Sequence, residues 1–209
     1  MIINIIFIIL LILFIKSTKK NRRNYKDAKG SIGEKKVNQI LENINDAKLL
    51  KDIILKTENG TTQIDHILIH KKGIFVIEIK NFKGWIFGKE KDKYWVQTIY
   101  SKKSKFYNPI RQNYGHIKTI ESYLPENRRN ILKSIIVFSN RCEFKNLEVV
   151  TPVLKMKDLL NYINNSESEI TLTNADIDYF YMILNKNNII DDEQRKNHIN
   201  FVKEKIIEI

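Results

Sequence analysis

One cysteine, Cys142, is the only thiol in the 209-residue chain, so no internal disulfide can form, and nothing around it has zinc-ligand spacing. The part of the chain outside any membrane is therefore expected in a reducing compartment. An isolated thiol with no evident partner reads as a structural group rather than a nucleophile. His66, His70, His116 and His198 are scattered, with no cysteine pair beside them, and are read against a transition-metal enzyme. GxGxxG, P-loop and zinc motifs are absent, as are internal repeats, so no dinucleotide-binding or repeat architecture is indicated. Acidic residues are the minority charge, 24 against 36 Lys and Arg, for a net charge of +12. That sign favours polyanions as partners, either nucleic acid or anionic lipid.

Half of the basic excess lies in one place. Between Lys16 and Lys29 seven basic side chains face Asp27 alone, leaving +6 immediately after the nearly unbroken Ile, Leu and Phe run from Ile2 to Ile15. As a helix that run spans about 21 Å, short of the roughly 30 Å hydrocarbon thickness, and snorkelling or bilayer thinning covers part of the difference. A cleaved signal peptide competes with this reading, but there is no basic segment before the run and no small-residue cleavage site after it. The expectation is an uncleaved single-pass anchor. The positive-inside rule then puts the linker and the domain behind it in the cytoplasm. The linker is read either as a partner for anionic head groups or as a solvated spacer.

The length suits one main domain with a modest appendage. A helix is expected from about Ser31, with Val37, Ile40, Leu41 and Ile44 at mostly helical spacing and Glu34 in its first turn, where the helix dipole alone favours an acid. Strands follow at Lys51 to Thr57, Thr62 to His70 and Gly73 to Asn81, with turns at Glu58-Asn59-Gly60 and Lys71-Lys72-Gly73. Residues 84–97 suggest a hairpin covering the sheet, in which Trp85 and Trp95 stack on bases if exposed. Tyr100 to Tyr107 is a basic, aromatic loop. Asn108-Pro109 starts a helix that turns Ile110, Tyr114, Ile117, Ile120 and Leu124 inward. Later come a buried strand at Asn130 to Ser139, a short edge strand at Leu147 to Leu154, a short helix at Met156 to Ile163 and two helical stretches, Asn174 to Asn185 and Asp191 to Ile207, forming a hairpin.

The strand Gly73-Ile-Phe-Val-Ile-Glu-Ile-Lys-Asn81 is apolar enough to be buried, yet it carries Glu78 and Lys80 on one face. Pairing with the preceding strand would bring Asp65 close to Glu78. Two carboxylates and a lysine in an apolar sheet make a hard-cation site beside an ammonium, the equipment for metal-assisted phosphodiester hydrolysis. The same three residues are equally compatible with an ion pair near a strand end and a solvated aspartate. His66, next to Asp65, points to the opposite sheet face and reads as a structural histidine beneath a helix.

In order along the chain, Gly33-Glu34-Lys-Lys-Val37, Gln63-Ile-Asp-His-Ile-Leu68, Gly73-Ile-Phe-Val-Ile-Glu-Ile-Lys-Asn81, Gly84-Trp-Ile-Phe-Gly88 and Asn108-Pro-Ile-Arg-Gln112 resemble the NERD domain, the nuclease-related domain of the PD-(D/E)XK nuclease superfamily. Ile64 stands where that pattern has a proline, which the pattern can dispense with. The resemblance implies an α/β fold of restriction-endonuclease type, a mixed central sheet flanked by helices. It implies that Asp65, Glu78 and Lys80 are the D…ExK core, with Asp65, Glu78 and the Ile79 carbonyl as ligands of Mg²⁺ or Mn²⁺. Glu34 would support the metal or its water, and Gln112 would be an outlying site residue. The resulting organisation is a membrane anchor at 1–16, a basic linker at 17–29, a nuclease-like domain at 30–163 and a C-terminal helical extension at 164–209. Lys102, Lys103, Lys105 and Arg111 are the expected phosphate-binding rim, with nucleic acid, DNA foremost, as the partner. A membrane-tethered binding or scaffold protein that keeps the fold without turnover is the alternative, and a lipid-surface sensor working through the linker is another.

Overall fold

The structure, a computed structural model, describes residues 33–189. Helix α1 covers 33–42. Strands β1 (Ala47–Thr57), β2 (Gly60–His70) and β3 (Gly73–Lys80) then form an antiparallel meander. The five-stranded sheet is completed on the other side of β3 by β7 (Leu132–Phe138) and β9 (Val153–Lys155), both parallel to it, in the order β1-β2-β3-β7-β9. From Gly73 to Ile79 every residue of β3 is buried, as expected of a central strand with helices on both faces. Helices α2 (Pro109–Tyr123) and α4 (Asn174–Lys186) pack on one face through Ile120, Ile177, Phe180 and Leu184. On the other face α1 and α3 (Leu159–Asn165) contribute Val37, Leu41, Leu159 and Ile163. The expected α/β class is observed.

The turns follow local chemistry. Lys71 and Lys72 link His70 to Gly73, whose φ is +127°. A Cβ there would meet the Ile131 carbonyl oxygen at 2.6 Å, so only glycine fits. At the other hairpin Glu58 and Asn59 form the turn, and Gly60 already pairs with Thr57.

Three expectations are corrected. The cover on the central sheet is a second, four-stranded sheet rather than one hairpin. Strands β4 (Gly84–Lys89), β5 (Tyr94–Ile99), β6 (Lys102–Tyr107) and β8 (Cys142–Glu148) are ordered β6-β5-β4-β8. The segment read as a basic loop is its edge strand β6, in which Phe106 turns inward between exposed Lys105 and Tyr107. The strand read at Leu147 to Leu154 is the end of β8 and the start of β9, separated around Pro152. The inward pattern of β8, Cys142 and Phe144 followed by Leu147, is masked by polar neighbours and by a bulge where Asn146 takes a φ of 49°.

The inner face of the second sheet closes on the first through Ile86, Trp95, Phe106, Phe138 and Phe144. Trp95 is fully buried, stacks on Phe138 and donates its indole N–H to the Lys89 carbonyl at 2.9 Å, so of the two tryptophans it is Trp85 that remains available. Trp95→Ala should cost about 3–5 kcal/mol, read from urea unfolding. A change below about 1 kcal/mol would mean that the second sheet does not depend on this side chain. Cys142 is buried, and burial pushes its thiol up to about 11, in keeping with an inert structural group.

Among the described residues no helix is long and apolar enough to cross a membrane. The Ile2 to Ile15 run, the basic linker and the second helix of the expected C-terminal hairpin lie outside the described residues.

Candidate active site

The β2–β3 ladder ends at His66 and Ile77, one residue before Asp65 and Glu78 would pair. On the other side of β2, the ladder with β1 is interrupted opposite Asp65, where Asp52 has a φ of 53°. An antiparallel ladder would next offer the Ile79 N–H to a carbonyl of β2. The Asp65 carboxylate takes that place, with Oδ2 accepting from Ile79 N at 2.9 Å. Asp65 is thus pinned to the strand that carries Glu78. Its Oδ1 makes no hydrogen bond among the described residues.

Glu78 is buried and used at both oxygens. Oε1 accepts from Lys80 Nζ at 2.6 Å, and Oε2 lies 3.2 Å from His116 Nε2. Burial alone would push the Glu78 carboxyl up, but the Lys80 ammonium and the hydrogen bonds from His116 and Lys80 hold it below its ordinary value. Lys80 also donates to Gln112 Oε1 at 3.0 Å. Its ammonium is therefore clamped between a strand carboxylate and a helix amide. His116 Nδ1 lies 2.9 Å from the Thr62 hydroxyl, so both ring nitrogens are engaged and the ring is fixed between β2 and Glu78.

Asp65 is the stressed member. Burial raises its carboxyl to about 8, with Glu78 and Glu34 pushing the same way against the Ile79 N–H and Lys80. Glu34 sits on α1 at the solvent side of this group. Desolvation raises its carboxyl, followed by the charges of Asp52 and Glu78. The first turn of α1 comes this close because Gly33 has no side chain, since a Cβ there would meet the Asn81 side chain at 2.8 Å.

The residues singled out in the sequence separate into two groups. Asp65, Glu78, Lys80 and Gln112 are joined by direct contacts, and Glu34 is coupled to Asp65 and Glu78 through charge. The basic residues do not join them. Lys102, Lys103 and Lys105 are exposed along β6, and Arg111 reaches the Lys91 carbonyl at 3.4 Å. His66 bonds Asn38 of α1 from the other face, and burial lowers its ring to about 4, which fits the structural role expected of it.

His116 was missed by sequence reasoning, and so was the way α2 is anchored. The apolar stripe read inward includes Tyr114, which is exposed. The buried face instead carries Asn113 and His116. Asn113 donates to the Val76 carbonyl at 2.9 Å and to Ser134 Oγ at 2.8 Å, which fixes α2 across β3 and β7. The available signal was the spacing of Gln112 and His116, four apart and hence on one side of the helix.

Two oxygen donors of this kind suit a hard divalent cation, because Mg²⁺ takes only one or two carboxylates and keeps water in its other positions. Burial is the larger cause of the rise at Asp65, and the charge of Glu78 and Glu34 that adds to it is what such a cation would neutralise. Among the described residues no three His, Cys, Asp or Glu side chains form a ready cage, so the fit is to a water-rich oxygen site and not to a structural one.

The family model for the nuclease-related domain, NERD, matches residues 29–139. An uncharacterized protein of Bacillus anthracis is 38% identical over 183 residues, which cover 85% of this chain and 85% of that protein. The chain belongs to the NERD, nuclease-related domain, family.

Proposed function

We propose that this protein hydrolyses phosphodiester bonds of nucleic acid with Mg²⁺ or Mn²⁺. The observation that carries the reading is the Lys80 ammonium held between Glu78 and Gln112 beside a carboxylate pinned at Ile79. Asp65, Glu78 and the Ile79 carbonyl would hold the metal. When bound, it would polarise the scissile phosphate and acidify a water. Lys80 aims its positive charge at a phosphoryl oxygen or at the attacking water, and the clamp removes the need to reorganise at the moment of reaction. His116 holds Glu78 from the far side, so the carboxylate keeps the rotamer that positions Lys80.

The purified protein should cleave DNA or RNA in Mg²⁺ and stop in chelator. Cleavage that persists in chelator excludes the metal mechanism. No cleavage of any substrate in Mg²⁺ or Mn²⁺ favours a binding protein that retains the fold.

Glu34→Ala and Gln112→Ala should each lower activity about 10- to 100-fold, the usual loss for groups that orient ligands. Apparent Mg²⁺ affinity should fall more than melting temperature. Destabilised proteins with unchanged metal dependence would make both residues structural.

The Ile2 to Ile15 run and the +6 linker support a domain tethered on the cytoplasmic side of a cell membrane. Protease added to intact cells should leave the domain whole. A mature chain that begins after Ile15 would sink the anchor.

A further inference from the structure

A pocket of about 510 Å³ opens at one end of the second sheet, lined by Lys83, Gly84, Trp85, Thr98, Ile99, Tyr100 and Arg141. Two aromatics and two cations line it, and no acid does. Trp85 is 48% exposed and Tyr100 95% exposed. Both are large rings left to solvent, as is Tyr107 on β6, while Trp95 and Phe106 of the same sheet turn inward. Tyr100 occupies the β5–β6 turn with a φ of 54°, a conformation for which glycine or asparagine is the ordinary choice. Thr98, buried in the pocket lining, has a hydroxyl with no hydrogen-bond partner among the described residues.

The pocket is also linked through hydrogen bonds to the end of the strand that carries Glu78 and Lys80. Lys83 follows Lys80 by three residues. Arg141 donates to Asn81 Oδ1 at 2.8 Å, its carbonyl accepts from Gly84 N at 3.1 Å, and the Lys80 carbonyl accepts from both Phe82 N and Ser139 N. One wall of the pocket is thus tied directly to the end of β3.

We propose that this pocket takes an unpaired nucleobase against Trp85 and Tyr100, with backbone phosphates on Lys83 and Arg141, making single-stranded nucleic acid the substrate class of the neighbouring site. The substrate assignment rests on the nuclease reading, whereas the binding assignment stands without it. Flat rings beside cations, without acids, match the alternation of bases and phosphates along a single strand. A duplex keeps its bases stacked on one another and offers the pocket only phosphate.

The test uses the full chain in mild detergent with chelator present, so that binding is read without cleavage. Fluorescence anisotropy is measured with labelled dT20, rU20 and a 20-base-pair duplex. Trp85→Ala and Tyr100→Gly should each weaken dT20 or rU20 binding about tenfold, within the range for loss of one base-stacking ring. Duplex binding should change less than twofold, and Tyr114→Ala, which removes an exposed ring outside the pocket, should change neither. Tyr100→Gly relieves the turn, so its melting temperature should not fall, and lost binding cannot then be blamed on unfolding. Single-strand binding should quench tryptophan emission, and Trp85→Ala should abolish the quench because Trp95 is buried.

Unchanged single-strand binding in both variants overturns the proposal. So does an equal loss for duplex, or competition by polyglutamate as strong as by dT20. The pocket assignment fails alone if metal-dependent cleavage occurs with no dependence on Trp85 or Tyr100. The nuclease reading fails alone if the binding pattern holds and no metal supports cleavage.

Discussion

Glu78→Gln and Lys80→Ala should each reduce metal-dependent cleavage by about a thousandfold, and the double variant should be no worse than either single one. The magnitude is the upper range for losing one prearranged charge from a transition-state site, and the non-additivity is that of groups acting as a unit. The unit is visible in the contacts. Glu78 Oε1 holds Lys80 at 2.6 Å, and Gln112 holds the same ammonium at 3.0 Å. Without the glutamate charge the lysine loses its aim; without the lysine the glutamate loses the partner that keeps it ionised in a buried strand. Gln is isosteric with Glu and keeps an oxygen for Lys80, so Glu78→Gln should melt within a few degrees of wild type. Steady-state cleavage and thermal melting on the same preparations check this. Variants that cleave like wild type put the chemistry elsewhere, and losses that track melting temperature make the cluster structural.

The strand motif was legible because a buried strand that spends two of eight positions on charge breaks the period-2 economy of a sheet, and nothing in local folding repairs that. Asp65 was legible for a related reason, although its mode of attachment was not. Strand pairing suggested carboxylate beside carboxylate. In the structure the ladder stops first and the aspartate replaces a backbone acceptor at Ile79, a substitution that depends on the Asp52 irregularity in a different strand. His116 and Asn113 were hidden because an amphipathic reading assigns apolar residues to the core and polar ones to water. Both are buried on α2, where their partners come from Thr62, Glu78, Val76 and Ser134. The second sheet was hidden for a topological reason. Its β4–β8 pairing is parallel and joins segments more than fifty residues apart, a distance over which local pattern carries no information.

Asp65→Asn should abolish the response to Mg²⁺ and, in chelator at pH 8, raise the melting temperature by about 4–8 °C. Asparagine keeps a side-chain oxygen for the Ile79 N–H and brings no charge into the field of Glu78 and Glu34. The pH dependence fixes the sign. The folded-state carboxyl is raised from an ordinary 3.8 to about 8, so between those values the folded protein binds a proton that the unfolded chain has released. Its contribution to stability is therefore fully present below about 3.8 and is lost as pH rises to about 8. One pH unit of displacement corresponds to about 1.4 kcal/mol, and even a third of this displacement is on the order of 2 kcal/mol. For a domain of this size that is the few-degree gain expected of the variant. Wild type and variant should melt together near pH 4 and diverge toward pH 8, with Mg²⁺ closing the gap by stabilising wild type alone. The same series run by calorimetry with and without Mg²⁺ decides it. A gap equal at pH 4 and pH 8 would show that burial and the neighbouring acids do not raise the Asp65 carboxyl, and a variant that Mg²⁺ stabilises as much as wild type would remove Asp65 from the metal site.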